Sequence, residues 1–474
     1  MQPLVKNNIL KEKIIGLSRE NREDIIGYDT PDITKIREQA LSKFVDLGFP
    51  DQSVEEWRNT NLDNALSYDY NLAFHPVKKI TNIESIFKCN VPHLNTLLVS
   101  LLNGWHVFMD EALKTLEDGT IVGSFAHAIK KYPEIIGKHF SKYSGTGKNG
   151  LEALNTAIAQ DGIFIYVPDG VEVKSPIQIV NIIRPESNIF VQARNLIILG
   201  KNSKLTLVHC DDSYNLLPGF SNTVTEVFIG ENAKLNHNKL QNINNDSTIL
   251  NSTYFHQESN SELLYNAISL NGGLIRNNTY VKLNGEGCET NILGLYLMDK
   301  TQHIDNYTYI DHVKPNCNSK KLFKGILDEK ATGVFNGHVH VRRDAQNTNA
   351  VQKNQNILLT DTAKIDTKPF LEIYADDVKC SHGATVGQLN TEALFYIRSR
   401  GIEERNAELL LMYAFAAEVI NHISIDALRD RIDDMVKKRL RGELSVCDQC
   451  VLHCSSQEQP VQFDIDMSLL ETNN

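Results

Sequence analysis

No stretch of the 474-residue chain approaches the roughly 18 consecutive apolar residues that a membrane-spanning helix needs, so none is expected. An apolar export signal is missing as well. Met1 to Glu20 interleaves Lys, Asn and Glu with its hydrophobic residues, and the expectation is a soluble, cytoplasmic protein. There is no excess of positive charge: Lys and Arg total 48 against 59 Asp and Glu, a net −11. That balance excludes a general electrostatic grip on nucleic acid or on an anionic membrane. A disulfide framework is also absent, since Cys89, Cys210, Cys288, Cys317 and Cys380 are scattered and only Cys447, Cys450 and Cys454 cluster. A chain this long needs no covalent staples, so a functional cysteine is read as a ligand or nucleophile. What remains is an ordinary globular composition, 41% apolar and 23% charged, with length for two to three domains of about 150 residues.

The opening part predicts helix. Ile33, Ile36, Ala40, Phe44 and Leu47 recur at helical spacing, with Asp32 as the cap and Gly48-Phe49-Pro50 as the stop. A second helical segment is expected through Ser53 to Trp57, a strand near Thr96 to Ser100, and helix again from Ala126 to Tyr143 with a break at Pro133. Ser144 to Gly150 reads as a small-residue hinge. From about Gly162 the character changes: short runs rich in β-branched and aromatic residues follow one another, with no amphipathic helix until about residue 391. Strands without crossover helices exclude a doubly wound sheet. A repeated turn favours a solenoid. Leu199-Gly200-Lys201-Asn202-Ser203-Lys204-Leu205 recurs as Ile229-Gly230-Glu231-Asn232-Ala233-Lys234-Leu235, an offset of 230 − 200 = 30, with a looser copy from Leu359 to Ile365. Asn236, Asn238, Asn242, Asn244 and Asn245 suit amide ladders between stacked turns. The end is helical again: Ala393 to Arg400 capped by Asn390 or Thr391, then Glu403 to Ile423, largely buried, then Asp426 to Leu440 with Leu428, Ile432, Met435, Val436 and Leu440 on one face. These helices are expected to close the solenoid end. The division is 1–160, mainly helical; 161–388, a parallel β-helix; 389–442, helical; and 443–474, a cysteine-containing tail.

Four segments carry candidate chemistry. Gly145-Thr146-Gly147-Lys148-Asn149 looks like a phosphate loop but has Lys142 where the first Gly belongs and Asn149 where Ser or Thr would hold magnesium, so no nucleotide site is expected. His338-Val339-His340 puts two imidazoles on one strand face, either a metal pair or a polar surface. In Tyr374 to Gly383, Cys380 and His382 share a face, offering the thiolate and imidazole that iron and zinc favour, and Lys379 beside Cys380 can lower its pKa. The alternative is a buried Cys and a hydrogen-bonded His. Cys447, Cys450, His453 and Cys454 offer ligands within one short segment, but without a second half-site.

Several segments together resemble the SufB/SufD family of iron–sulfur cluster assembly proteins. They are Gly48-Phe49-Pro50 with Glu55-Glu56-Trp57-Arg58-Asn59-Thr60; Ala153 to Ala157 running into Asp161 to Pro168; Phe335-x-Gly337 with Ala345 to Leu359; and Glu372 to Gly383, continuing through Leu394 to Ile402. Lys379-Cys380-Ser381-His382-Gly383 is closer to SufD than to SufB, and Thr362-Ala363-Lys364 lacks the acceptor cysteine that SufB carries in that stretch. The resemblance implies a right-handed parallel β-helix between helical domains, pairing edge to edge with a SufB paralogue and docking the SufC ABC-type ATPase through the C-terminal helices. It implies a non-catalytic scaffold for a transient iron–sulfur cluster or iron, with His382 as ligand and Cys380 beside it, and no nucleotide bound by this chain. Cys447, Cys450 and Cys454 lie past the matching part. Two rivals stand beside this: a β-helix carbohydrate-active enzyme using Asp376 and Asp377, and a stand-alone metal or cluster carrier using the cysteine tail. Two adjacent carboxylates on one strand point to opposite faces, which counts against the enzyme.

Overall fold

In the computed structural model the described residues are 3–76, 94–107, 111–144, 149–184, 186–214 and 216–442, with side chains from residue 9. Cys447, Cys450 and Cys454, and the Gly145 to Lys148 part of the expected hinge, lie outside them.

The centre of the molecule is a parallel β-solenoid of about seven turns. Successive strands go alternately to two facing sheets. One sheet takes Ile163–Val167, Ile189–Leu199, Gly219–Ile229, Thr248–Gln257, Leu274–Leu283, His303–His312, Thr332–Val341 and Lys364–Ile373. The other takes Ile177–Ile183, Lys204–Ser213, Lys234–Asn242, Glu262–Asn271, Glu289–Met298, Asn318–Leu327, Thr348–Leu358 and Val378–Gly387. Each strand pairs in parallel with the strand two further on.

The corners explain the sequence repeat. Where the first sheet hands the chain to the second, Asn202, Asn232, Asn260, Asn316 and Asn347 all have positive φ, between 55° and 61°, a backbone state that asparagine tolerates better than most residues. Each donates its backbone N–H to the next coil: Asn202 to Glu231 O at 2.8 Å, Asn232 to Ser259 O at 2.9 Å, Asn347 to Asp377 O at 2.7 Å. Side-chain amides stack at the same corner, Asn232 onto Asn202 at 2.9 Å and Asn347 onto Asn316 at 3.2 Å. The amide ladder is therefore real but built from different residues than expected. Asn236, Asn238 and Asn242 are strand residues, and Asn244 and Asn245 follow that strand. The looser repeat copy, Leu359 to Ile365, lies at the opposite corner, where the chain passes back to the first sheet. Both corners need a turn followed by a strand start, so they converge on similar sequence.

Inward positions form the core. Ile165, Ile197, Val227, Leu205, Leu235, Leu263, Ile292 and Ile304 are among many fully buried there, each contributing about 1.5–3 kcal/mol. A polar seam also runs inside. Asp211 is held by Lys239 at 3.2 Å and by amides of Asn181 and Asn251 at 3.2 Å, and Gln241 and Asn277 exchange two amide hydrogen bonds.

Helices flank the solenoid. The chain starts Pro3–Glu20, Arg22–Ile26 and Pro31–Leu47; Thr30, not Asp32, sits at the cap position because Pro31 begins the third helix. Ser53 to Trp57 is shorter than expected, one 3-10 turn at Glu55–Trp57. Phe125–Lys131 and Pro133–His139 follow, broken at Pro133 as the sequence predicts. Asn149 caps Gly150–Ile158 by accepting from Leu151 N–H at 3.0 Å, so the C-terminal end of the expected hinge is an ordered helix start. A Cβ on Gly150 would stand 1.7 Å from Gly48 O, and only glycine allows that approach. This helix packs on the outside of the first sheet with Phe190, Phe220 and Leu250. Strands Leu97–Leu102 and Ile121–Ser124 extend the two sheets at their beginning.

At the other end come Thr391–Ser399, Glu404–Ile420 and Asp426–Leu440. The last two do not close the solenoid end, contrary to expectation. Met412, Ala416, Val419, Ile420, Leu428, Ile432, Met435 and Val436 pack sideways on Leu240, Ile268, Leu295 and Leu322, on the outer face of the second sheet. Arg439 fixes them by donating to Leu270 O at 2.8 Å and pairing with Asp299 at 2.5 Å. Glu404–Ile420 is accordingly buried along one side only, with Leu409 and Phe415 half-covered. Among the described residues no helix is long and apolar enough to cross a membrane.

Candidate functional site

The last coil is where the candidate residues meet. Lys364–Ile373 and Val378–Gly387 each pair with one neighbour and end their sheets, leaving two unpaired strand edges among the described residues. Phe370, Tyr374 and Val386 are exposed there, and the adjacent helix Thr391–Ser399 has no buried residue, with Phe395 76% and Tyr396 59% exposed. Asn390 caps that helix, accepting from Ala393 N–H at 3.0 Å.

Cys380 and His382 fall on one face, as alternation requires. Cys380 lies in register with Ala350 and His382 with Gln352, both fully buried, so the pair continues the inward-facing columns into the open coil. Cys380 packs with Val339, Val341, Ala345 and Ala375 and is half-buried; His382 is exposed. Burial pushes the Cys380 thiol up, and a hydrogen bond from the Ala350 backbone only partly offsets it. The expected lowering by Lys379 does not occur, because the adjacent residue projects to the opposite face. Cys210, Cys288 and Cys317 are buried, so Cys380 is the most accessible described cysteine.

No group of three His, Cys, Asp or Glu stands together in a metal-holding arrangement among the described residues. Cys380 and His382 offer two donors, fewer than a zinc- or cluster-type site needs.

The other candidates are placed differently. His338 and His340 do share a face, on the outside of the first sheet. His338 Nε2 lies 3.1 Å from Glu372 Oε2, His340 Nδ1 lies 2.9 Å from Tyr309 Oη, and Tyr374 donates to Glu372 at 2.6 Å. The pair is thus engaged in a hydrogen-bonded surface. Asp376 and Asp377 are not on a strand: they form the last corner, exposed, with Asp377 N–H bound to Gln346 Oε1 at 2.9 Å. Trp57 of the Glu-Glu-Trp segment is a docking residue. It is buried over the Arg276 guanidinium at 3.8 Å, and Arg276 pairs with Asp305, which also accepts from Thr60.

Sequence reasoning passed over two inward residues beneath His382. Register stacks Ile292, Lys321, Gln352 and His382 on successive strands. Lys321 is fully buried, donates to Thr308 Oγ1 at 3.1 Å and His338 O at 2.9 Å, and burial alone drives its pKa far down. The signal was the period of two in Thr348, Ala350, Gln352, Asn354 and Asn356, all of them buried.

Residues 182–415 match the SufBD core domain of the SUF system for FeS cluster assembly, and residues 9–179 match the SufBD protein N-terminal region. The chain is similar to the iron–sulfur cluster assembly SufBD family protein slr0076 of Synechocystis, 31% identical over 88% of this chain and 93% of that protein. It is 33% identical to the iron–sulfur cluster assembly protein SufD of Escherichia coli over 61% of this chain and 69% of that protein. Against SufD of Bacillus subtilis the identity is 25% over 86% of this chain and 94% of that protein.

Proposed function

We propose that this chain, which belongs to the SufBD family of iron–sulfur cluster assembly proteins, is a SufD-type scaffold whose open coil joins a SufB-type solenoid. The partner adds strands to the edges of Lys364–Ile373 and Val378–Gly387, where backbone groups await pairing. Iron or a nascent cluster is cargo at that junction. His382 supplies one ligand, Cys380 supports it, and the partner supplies the rest. The observation that carries the reading is a thiol and an imidazole side by side on a strand with a free edge, with no third donor grouped with them among the described residues. A thiol that burial keeps protonated must lose its proton to bind metal, which weakens binding and suits cargo that is later released. Exposed Phe395 and Tyr396 form the contact for the SufC ATPase.

The test is iron and acid-labile sulfide per complex after anaerobic co-expression with SufB and SufC, comparing wild type with His382→Ala at equal complex yield. Most of the iron is expected to be lost with the complex intact. Unchanged iron rejects His382 as a ligand, and failure of the wild-type chains to associate rejects the scaffold reading.

A further inference from the structure

The column below His382 contains an unmet hydrogen-bonding need. Gln352 is 0% exposed; its amide nitrogen donates to Gly337 O at 3.0 Å, while its Oε1 is buried without a partner among the described residues. The orientation is fixed, since a flipped amide would set two carbonyl oxygens against each other at Gly337. Gly337 itself makes room, because a Cβ there would stand 2.5 Å from Gln352 Oε1. A buried carbonyl left unpaired costs about 1–3 kcal/mol, so a donor is called for. From below, Lys321 is already directed to Thr308 and His338 O. From above, the in-register residue is His382, whose ring makes no hydrogen bond among the described residues.

One coil is within reach of a side-chain hydrogen bond in this solenoid. His303 Nδ1 lies 2.7 Å from Thr332 Oγ1, its in-register neighbour on the next strand, and Ser269 donates to Gln241 at 2.7 Å in the same relation. We propose that Gln352 is a positioning residue for His382: its Oε1 accepts one ring N–H of His382, fixes the tautomer, and leaves the other ring nitrogen for iron. The second half of this statement rests on His382 being an iron ligand. A metal-binding imidazole nearly always donates its other N–H to such an acceptor, and removing the acceptor costs about 10–100-fold in metal affinity.

The test uses the full-length chain with ¹⁵N-histidine, the His382 signals being identified by their loss in His382→Ala. A single neutral tautomer is expected in wild type, a mixture in Gln352→Met, and a single tautomer again in Gln352→Glu. In its protonated form that glutamate keeps a donor for Gly337 O and an acceptor for His382. In the co-purified complex Gln352→Met is expected to lower iron affinity at least about tenfold, with Gln352→Glu restoring it. Mixed tautomers in wild type overturn the inference, as does an unaltered tautomer in Gln352→Met. If Gln352→Met does not fold, the wild-type and Gln352→Glu spectra decide. A fixed tautomer with iron indifferent to His382→Ala keeps the hydrogen bond and overturns the iron assignment instead.

Discussion

Replacing Arg276 by Met tests whether a buried ion pair locks the N-terminal region to the solenoid. Arg276 and Asp305 are each 1% exposed and paired; Arg276 also donates to Asn278 Oδ1 at 2.9 Å and lies under Trp57. Methionine keeps most of the stem and removes the charge. Asp305 is then buried with only Thr60 Oγ1, at 2.5 Å, as a strong donor. Stranding one member of a buried pair costs about 3–5 kcal/mol. Loss of the cation–π contact adds about 1–2 kcal/mol. Asp305→Leu should be costly for the mirror-image reason, while Arg276→Met/Asp305→Leu strands no charge. The double variant is therefore expected to lose clearly less than the two singles combined, by about 2–3 kcal/mol. Urea unfolding followed by fluorescence suits this, because Trp57 and Trp105 are the two tryptophans of the chain and Trp57 sits on the altered side chain. A Trp105→Phe background isolates the Trp57 signal. Full additivity of the two single changes refutes the coupling.

Two further outcomes concern buried titratable groups. Burial lowers His312 from 6.5 to about 4. Its folded form resists a proton that the unfolded chain accepts, so about 3 kcal/mol of stability, complete above pH 6.5, drains away as pH falls toward 4. His312→Gln should flatten the acid limb of a stability–pH curve by that amount, and an unchanged limb refutes it. Lys321 is shifted down by burial, so between its folded pKa and 10.5 the unfolded chain holds more protons and stability rises with pH. The stability of Lys321→Met relative to wild type should be higher at pH 7 than at pH 10, the difference shrinking as pH rises toward 10.5; a pH-independent difference counts against the reasoning.

How much of this was legible follows from what determines each feature. The Asp426–Leu440 helix is plain in the sequence because Leu428, Ile432, Met435 and Val436 recur at its own period and a local pattern suffices. The repeated corner is legible for the same reason: positive φ at Asn202 and Asn232 is a demand on single residues. That Cys380 and His382 share a face follows from alternation alone, whereas its being the inward face is set by register with Ala350 and Gln352. Where the helices rest is another matter. An apolar face specifies that something covers it, and whether Met412 and Val419 meet the solenoid's side or its end depends on long-range packing that no local pattern encodes. Gln352 escaped notice because its meaning depends on Gly337 across the interior and His382 one coil on, residues 15 and 30 positions away.

The two ends of the solenoid differ in kind. At its beginning each sheet finishes on a three-residue strand running antiparallel, Trp105–Val107 and Leu113–Thr115, whereas its last coil ends on two ten-residue parallel strands. Parallel solenoids with two long free ends could polymerise head to tail without limit. Among the described residues, only the last coil offers two ten-residue edges: the strands at the beginning are too short to template a further coil, and Trp105–Val107 also runs against the solenoid direction. On the scaffold reading proposed above, a chain built this way stops growth as soon as it is added, so two solenoids joined at such ends make a closed pair and not a fibre.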